Sequence, residues 1–242
     1  MQIIPLSEGS FSVDQSKKFI PLLPDDDPAE RTSGSLMVQI TPFLVKTGNE
    51  LILLDTGLGF EEDGELQLIQ NIRRAGYDAS QVTKVLISHL HKDHAGGIKS
   101  LSKNELSLPN AKYYVQRAEL ELATAPGSSS YDADQFDLLK GHEQLVLLDG
   151  DGNIDDLIRY EISAGHSRYH QVFWLNADGD TAFFGGDEAP QLGQMKRRLA
   201  AKYDYDGRRA MELRSKWWEE GQEKKWHFMF YHGRKNPVFK AE

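Results

Sequence analysis

Three histidines and one aspartate fall within six residues in the run Ser88-His89-Leu90-His91-Lys92-Asp93-His94-Ala95-Gly96-Gly97. Imidazole nitrogens and carboxylate oxygens at this density are ligands for zinc and related first-row divalent ions. Alternate side chains of an extended segment share a face, so His89 and His91 can grip one metal together. Asp93 and His94 come after the chain begins to turn and can face a second metal close by. The glycine pair lets the backbone approach the site tightly. The chain contains no cysteine, which removes thiolate nucleophiles, disulfides and Cys-ligated zinc from consideration.

A strand must carry this cluster, and Val82 to Ser88, with Val85-Leu86-Ile87 as its apolar heart, runs straight into it. Upstream, Leu36 to Ile40 and Phe43 to Val45 read as strands, and a turn at Lys46 to Glu50 leads into a further strand ending at Leu54. Helical spacing of Leu68, Ile69, Ile72 and Ala75 predicts a helix from about Glu65, stopped at Gly76. Further strands are expected at 111–115, 144–148, 158–162, 171–175 and 181–185, with a helix at 118–123. Two more helices fall between Leu192 and Glu220, the last capped by Asp206 and stopped at Gly221. Pro24 to Arg31, with two prolines and a charge run, is a surface loop by composition. Strands and helices alternate in both halves without a convincing boundary, which predicts an α/β chain folded as a single domain over residues 1–242. Its 39% hydrophobic content, with 11 Phe, 9 Tyr and 4 Trp, suffices for a packed core. The net charge of −9 disfavours nucleic acid as a partner. The opening residues Met1 to Glu8 carry no basic and apolar leader, and no run approaches the roughly 20 apolar residues that span a bilayer. These features lead to the expectation of a cytoplasmic protein acting on a small molecule, as a monomer or homodimer, without membrane contact.

Five motifs in order make the sequence resemble the metallo-β-lactamase superfamily along nearly its whole length. They are Leu53-Leu54-Asp55-Thr56-Gly57; the His89, His91, Asp93, His94 cluster; Ala164-Gly165-His166-Ser167; Phe183-Phe184-Gly185-Gly186-Asp187; and Phe228-Met229-Phe230-Tyr231-His232-Gly233. The resemblance implies a four-layer αβ/βα sandwich, two sheets face to face with helices outside and a metal cleft at one sheet edge. It also implies two divalent metal ions, zinc first, with manganese, iron or cobalt as alternatives. His89, His91 and His166 would hold one metal, Asp93, His94 and His232 the other, and Asp187 would bridge them. Asp55 would orient a ligand histidine. A hydroxide bridging the metals would attack a small ester, lactone or phosphotriester. Asp93 is the candidate catalytic residue, carrying a proton to the leaving group; the alternative is a ligand role alone.

Other residues separate branches of that superfamily. Lys17-Lys18-Phe19-Ile20-Pro21 and Lys202-Tyr203-Asp204-Tyr205-Asp206 look like the lactonase and organophosphate-hydrolase-like branch. Acyl-homoserine lactonases place a tyrosine three residues after the bridging aspartate, where this chain has Pro190; Tyr169, Tyr203, Tyr205 and Tyr231 are the candidates to replace it in space. Gly165-His166-Ser167-Arg168-Tyr169-His170 departs from the common Gly-His-Thr-Pro-Gly-His, so Arg168 is either a pocket cation or a surface one. His170 is expected to support the site without touching metal, whereas His142 and His227 are expected outside it. Lys196-Arg197-Arg198 reads as an ion-pairing helix surface, or as a phosphate or carboxylate clamp. Trp217-Trp218 should give one core and one edge residue. The competing readings are a thioester hydrolase of the glyoxalase II kind and a metal-binding module without hydrolytic activity. The first lacks the family's C-terminal helical domain, since ten residues follow His232, and the second would fit a lost ligand better than the full set present.

Overall fold

Alternation along the strands divides the apolar residues between two faces. Phe43, Val45, Ile52, Leu54 and Leu86 point to one side of the first sheet; Leu44, Leu51, Leu53 and Val85 point to the other. In the second sheet Phe173, Leu175, Ala182, Phe184 and Met229 face inward, while Val172, Trp174, Phe183 and Phe228 face outward. The two inward sets form a common core between the sheets. Each fully buried side chain of this size contributes about 1.5–3 kcal/mol, so both faces of both sheets must be covered. The outer face of the first sheet is covered by Leu68 and Ile72 of the helix Gln67–Arg74 and by Leu120 and Ala123 of the helix Arg117–Ala123. The helix Gly207–Glu223 covers the second sheet with Leu213 and Trp217. The result is the expected four-layer αβ/βα sandwich. The computed structural model describes residues 1–23, 25–27, 31–100 and 102–242.

The first sheet runs in the order Gln2–Pro5, Phe43–Thr47, Glu50–Leu54, Lys84–Leu86, Lys112–Gln116, Leu145–Leu148; its last four strands are parallel. The second runs Gly152–Ile154, Ile158–Ile162, Gln171–Ala177, Asp180–Phe184, His227–Met229, Val238–Lys240. Candidate ligands follow the C-terminal ends of strands Lys84–Leu86, Ile158–Ile162, Asp180–Phe184 and His227–Met229, where open sheets commonly build sites.

Three findings differ from the sequence reading. Leu36–Ile40 leaves the first sheet and pairs with Gly9–Val13, which also pairs with Phe19–Leu22, in a separate three-stranded sheet. Gly9–Val13 and Phe19–Leu22 were not foreseen: Gly9–Val13 reads as Gly, Ser, Phe, Ser, Val, and Phe19–Leu22 carries Pro21 in a run too short to mark a strand. The last helix does not stop at Gly221. It runs to Glu223, and Lys225 takes the left-handed turn at φ 57°. Gly221 serves packing instead, since a Cβ there would lie 2.2 Å from Phe228. The expected cap holds, with Asp206 accepting the Arg209 N–H, and Gly76 closes the first helix at φ 88°. Within the Pro24 to Arg31 loop, Leu23 N–H donates to the Asp26 carboxylate at 2.7 Å, while Pro24, Pro28, Ala29 and Glu30 lie outside the described residues.

Candidate metal centre

After Leu86 the chain bends at Ser88 and, from an extended His91, turns into the short helix Lys92–Ala95. This change of direction separates His89 and His91 from Asp93 and His94. The turn is seated on the loop after Leu54: Thr56 N–H donates to the His94 carbonyl at 2.7 Å and Gly96 N–H to that of Gly57 at 2.9 Å. Gly96 is required at this contact, since a Cβ would lie 2.2 Å from the Leu58 backbone.

The second sheet supplies His166, Asp187 and His232 from three separate loops. All seven residues meet. Potential ligand atoms of His89, His91 and His166 lie within 4.8 Å of one another, as do those of Asp93, His94 and His232 and those of His89, His94 and Asp187. His91 Nδ1 is 2.9 Å from His89 Nε2 and 3.2 Å from His166 Nε2. Asp187 lies between the groups: its Oδ1 is 2.9 Å from His232 Nε2 and 3.2 Å from His94 Nε2, and its Oδ2 is 3.3 Å from His166 Nε2.

The opposite edges of four of the rings fix which nitrogen is bare. His94 Nδ1–H donates to Asp55 Oδ2 at 2.7 Å and His232 Nδ1–H to the Gln39 carbonyl at 2.6 Å. His166 Nδ1 is 3.3 Å from Asp204 Oδ1. The Ser88 hydroxyl donates to Asp55 at 2.7 Å and therefore accepts from His89 Nδ1 at 3.0 Å. In each case Nε2 is left as a lone-pair donor toward the cluster, the arrangement outer partners give to metal-binding histidines. His94 Nε2 and Asp187 Oδ1 are buried without a hydrogen-bond partner among the described residues. Orphaned buried groups of this kind are costly, and a bound cation would satisfy both. The residues present therefore fit divalent metal ions.

Electrostatics agree. Burial, reinforced by His94 and His91, pushes His89 well below its ordinary pKa, and burial with His166 does the same to His91. Burial also opposes charge on His94, but Asp187, Asp93 and Asp55 outweigh it and hold that ring well above its ordinary value. Burial would raise Asp187, yet His232, His94 and His166 hold it well below the usual carboxylate range. Asp55 and Ala164, in loops framing the cluster, keep left-handed backbones, φ 56° and 54°, uncommon for residues with a Cβ.

Several supporting residues were invisible in the sequence. Glu188 Oε2 accepts from the Ser163 hydroxyl at 2.7 Å and from the N–H groups of Gly165 and His166 at 3.1 and 3.0 Å. Arg214, buried, donates to the Glu188 carbonyl at 2.8 Å. His170, which the sequence did single out as a support, accepts the Asp187 N–H at 3.2 Å and sits behind the ligands. A cleft of about 130 Å³ opens over the cluster, with His91, Asp93, His166, Asp187 and His232 on its floor and Val13, Phe19, Leu36 and Val38 on one wall. Tyr203, of the tyrosines considered, lines it. Tyr231 is buried, stacks on His94 and donates to the Asp93 carbonyl. Arg168 is exposed, its guanidinium 5.2 Å from the Tyr205 ring centre, and does not line the cleft. His227 faces Asp180, and His142 lies in a loop. Lys196 sits 5.3 Å over the Trp218 and Phe239 rings and, among the described residues, has no ion pair. Trp217 is core and Trp218 half-buried, as expected.

The sandwich and its seven-residue cluster define a metal-site protein built between two sheets. The chain belongs to the metallo-beta-lactamase superfamily, which it matches over residues 37–222. It is 31% identical over 122 residues to the N-acyl homoserine lactonase AttM of Rhizobium johnstonii, covering 46% of this chain and 42% of that protein. It is 23% identical over 168 residues to the N-acyl homoserine lactonase AiiA of Bacillus thuringiensis subsp. kurstaki, covering 61% and 62%. Similarity to the thioesterase pkgB of Emericella nidulans, 27% over 195 residues, covers 76% of this chain and 48% of the relative. The matches thus span less than two thirds of each relative's own length. Among solved structures the fold is shared with a probable metal-dependent hydrolase from Staphylococcus aureus, at TM-score 0.78 and 19% identity over 99% of this chain and 91% of that one. It is also shared with the dizinc quorum-quenching lactonase AidC, at TM-score 0.73 and 21% identity over 98% and 88%.

Proposed function

We propose that the protein is a metal-dependent hydrolase of a small ester or lactone, phosphotriesters being the neighbouring class, with two zinc ions as its cofactor. The observation that carries this reading is the pair of three-residue ligand groups joined by the two oxygens of Asp187 at the floor of an open cleft. His89, His91 and His166 would hold one ion, Asp93, His94 and His232 the second, and Asp187 both. Bound there, divalent ions supply Lewis acidity to a carbonyl or phosphoryl group and lower the pKa of water from 15.7 to about 7. The chain's own part is to aim four of the imidazoles, those of His94, His89, His232 and His166, through Asp55, Ser88, Gln39 and Asp204. Asp93 reaches the cleft floor, 3.6 Å from both His94 Nε2 and His232 Nε2, where its carboxylate can carry a proton to a leaving oxygen. The Val13, Phe19, Leu36 and Val38 wall gives an acyl or alkyl arm an apolar surface. In this reading the protein acts in the cytoplasm as a monomer or homodimer. Among the described residues no helix is long and apolar enough to cross a membrane.

Thioester hydrolysis is the second reading, favoured by the likeness to a thioesterase over 76% of the chain. Metal-reconstituted protein assayed against lactones, aryl esters, thioesters and phosphotriesters separates the two. The expected result is turnover of an oxygen ester or lactone with about two metals per chain by elemental analysis. Full activity at one metal or fewer would sink the two-metal reading.

A further inference from the structure

Two lysines line the same cleft, and the hydrolase reading gives them no task. Lys17 stands in the turn between Gly9–Val13 and Phe19–Leu22, where its backbone is left-handed at φ 58° and its N–H donates to the Asp14 carbonyl at 3.1 Å. Lys92 lies between His91 and Asp93 at the start of the short helix, its N–H donating to the Ser130 carbonyl at 3.0 Å. Both side chains are half-buried. Among the described residues neither ammonium has an ion-pair partner to neutralise it. The carboxylates lining the cleft are Asp93 and Asp187, both candidate metal ligands whose charge bound cations would consume. What remains facing a substrate is positive, beside an apolar wall, on a molecule of net charge −9.

We propose that Lys17 and Lys92 form an anion subsite, so that the substrate is an ester or lactone bearing a second, non-reacting carboxylate at the end of an apolar arm. The inference rests on the hydrolase reading for its substrate and on the cleft itself for its charge. The arm would lie on Phe19, Leu36 and Val38, while the carboxylate would take charge-assisted hydrogen bonds from the two ammonium groups. A neutral ester of equal length would use the wall alone. Repulsion of an anion by the rest of the molecule would be offset locally, an effect that added salt screens.

Matched substrates test this: p-nitrophenyl hexanoate and the mono-p-nitrophenyl ester of adipic acid, with the metal-loaded wild type, the single variants K17Q and K92Q, and the double variant. The expected result is a wild-type preference for the adipate ester, with the anionic-to-neutral ratio of kcat/KM falling about tenfold or more in the double variant, chiefly through KM. The ratio should also fall with ionic strength in the wild type and not in the double variant. Metal content of each variant shows whether Lys92 acts through its neighbours, and Lys92→Arg, which keeps the charge, should retain most of the preference. An unchanged ratio in the double variant, or a wild-type preference for the neutral ester, overturns the subsite. If the wild type turns over neither ester, the hydrolase reading for these acyl substrates fails by itself. Calorimetric binding of adipate to metal-loaded wild type and double variant then decides the lysines, equal affinity overturning them and a loss of about tenfold or more supporting them.

Discussion

The two halves of the metal centre are built in opposite ways. The first half places His89, His91, Asp93 and His94 on one loop of six residues, seated on the Asp55 to Leu58 loop of the same sheet. The second half gathers His166, Asp187 and His232 from three loops spread along 67 positions of chain. A contiguous loop fixes its donors by local geometry, whereas separated loops must be tied to one another. Those ties are visible: Glu188 binds the Gly165 and His166 N–H groups, His170 binds that of Asp187, and Pro190 accepts from His232 N–H at 3.0 Å. The first half should therefore tolerate changes around it better than the second.

Asp187 is where the halves join, and its loss should have the largest effect. Asp187→Asn keeps the shape but removes the charge facing His94, His166 and His232. Metal content is expected to drop from about two per chain toward one, and turnover by roughly two orders of magnitude or more. Elemental analysis together with kcat checks this. Near-wild-type activity with both metals kept would show that the halves do not meet through this residue.

The same contrast explains what could be seen in the sequence. The first-half ligands stand out because four donors within six residues are improbable as surface accident, and the strand leading to them is a plain apolar run. His166, Asp187 and His232 are single residues, and they emerged through a resemblance of flanking motifs rather than through spacing. The sheet strands of both halves were legible to within one or two residues where period-two burial is strong, as in Ile158–Ile162. Gly9–Val13 was not, because the segment itself reads as Gly, Ser, Phe, Ser, Val and one of its two partners, Leu36–Ile40, lies more than twenty residues away. Gly221 misled for a related reason: a glycine near a helix end looks like a stop, and only the position of Phe228 across the packed face shows that it is a contact. Glu188 carries no local signal, since a glutamate in a loop is ordinary until the neighbouring loops are placed, and the segments of Lys17 and Asp204 showed a branch resemblance without showing what those two side chains would face.

Glu188→Ala tests the dependence of the second half on its ties. Removing an acceptor from one hydroxyl and two buried N–H groups should cost about 2–4 kcal/mol in denaturant unfolding. It should also lower retention of the metal served by His166, while Glu188→Gln, which keeps an acceptor oxygen, should restore most of both. Equal loss from the two variants would locate the role in charge rather than in hydrogen bonding, and no loss from either would erase the contrast between the halves.

Glu8 is the corresponding carboxyl under the first half, and its effect is readable only through pH. Its side chain is buried and accepts the Leu58 N–H at 2.8 Å, with Oε1 lacking a partner among the described residues. Burial pushes its pKa up to about 8; the Leu58 N–H pulls it back and Asp93 adds to the rise. Between the unfolded value of roughly 4.3 and about 8, the folded chain holds this proton and the unfolded chain does not. The stabilising contribution is thus complete at low pH and is lost as pH rises, by up to about 1.4 kcal/mol per pH unit from this group. Glu8→Gln has no proton to lose. Its stability relative to the wild type should rise by roughly 3–4 kcal/mol in its favour between pH 5 and pH 8. Urea unfolding of both metal-free proteins across that range checks the slope, because the histidines titrate in both and cancel in the difference. Parallel curves would mean that Glu8 is ionised in the folded chain, placing a third negative charge beside Asp93 and making the first half as dependent on compensating groups as the second.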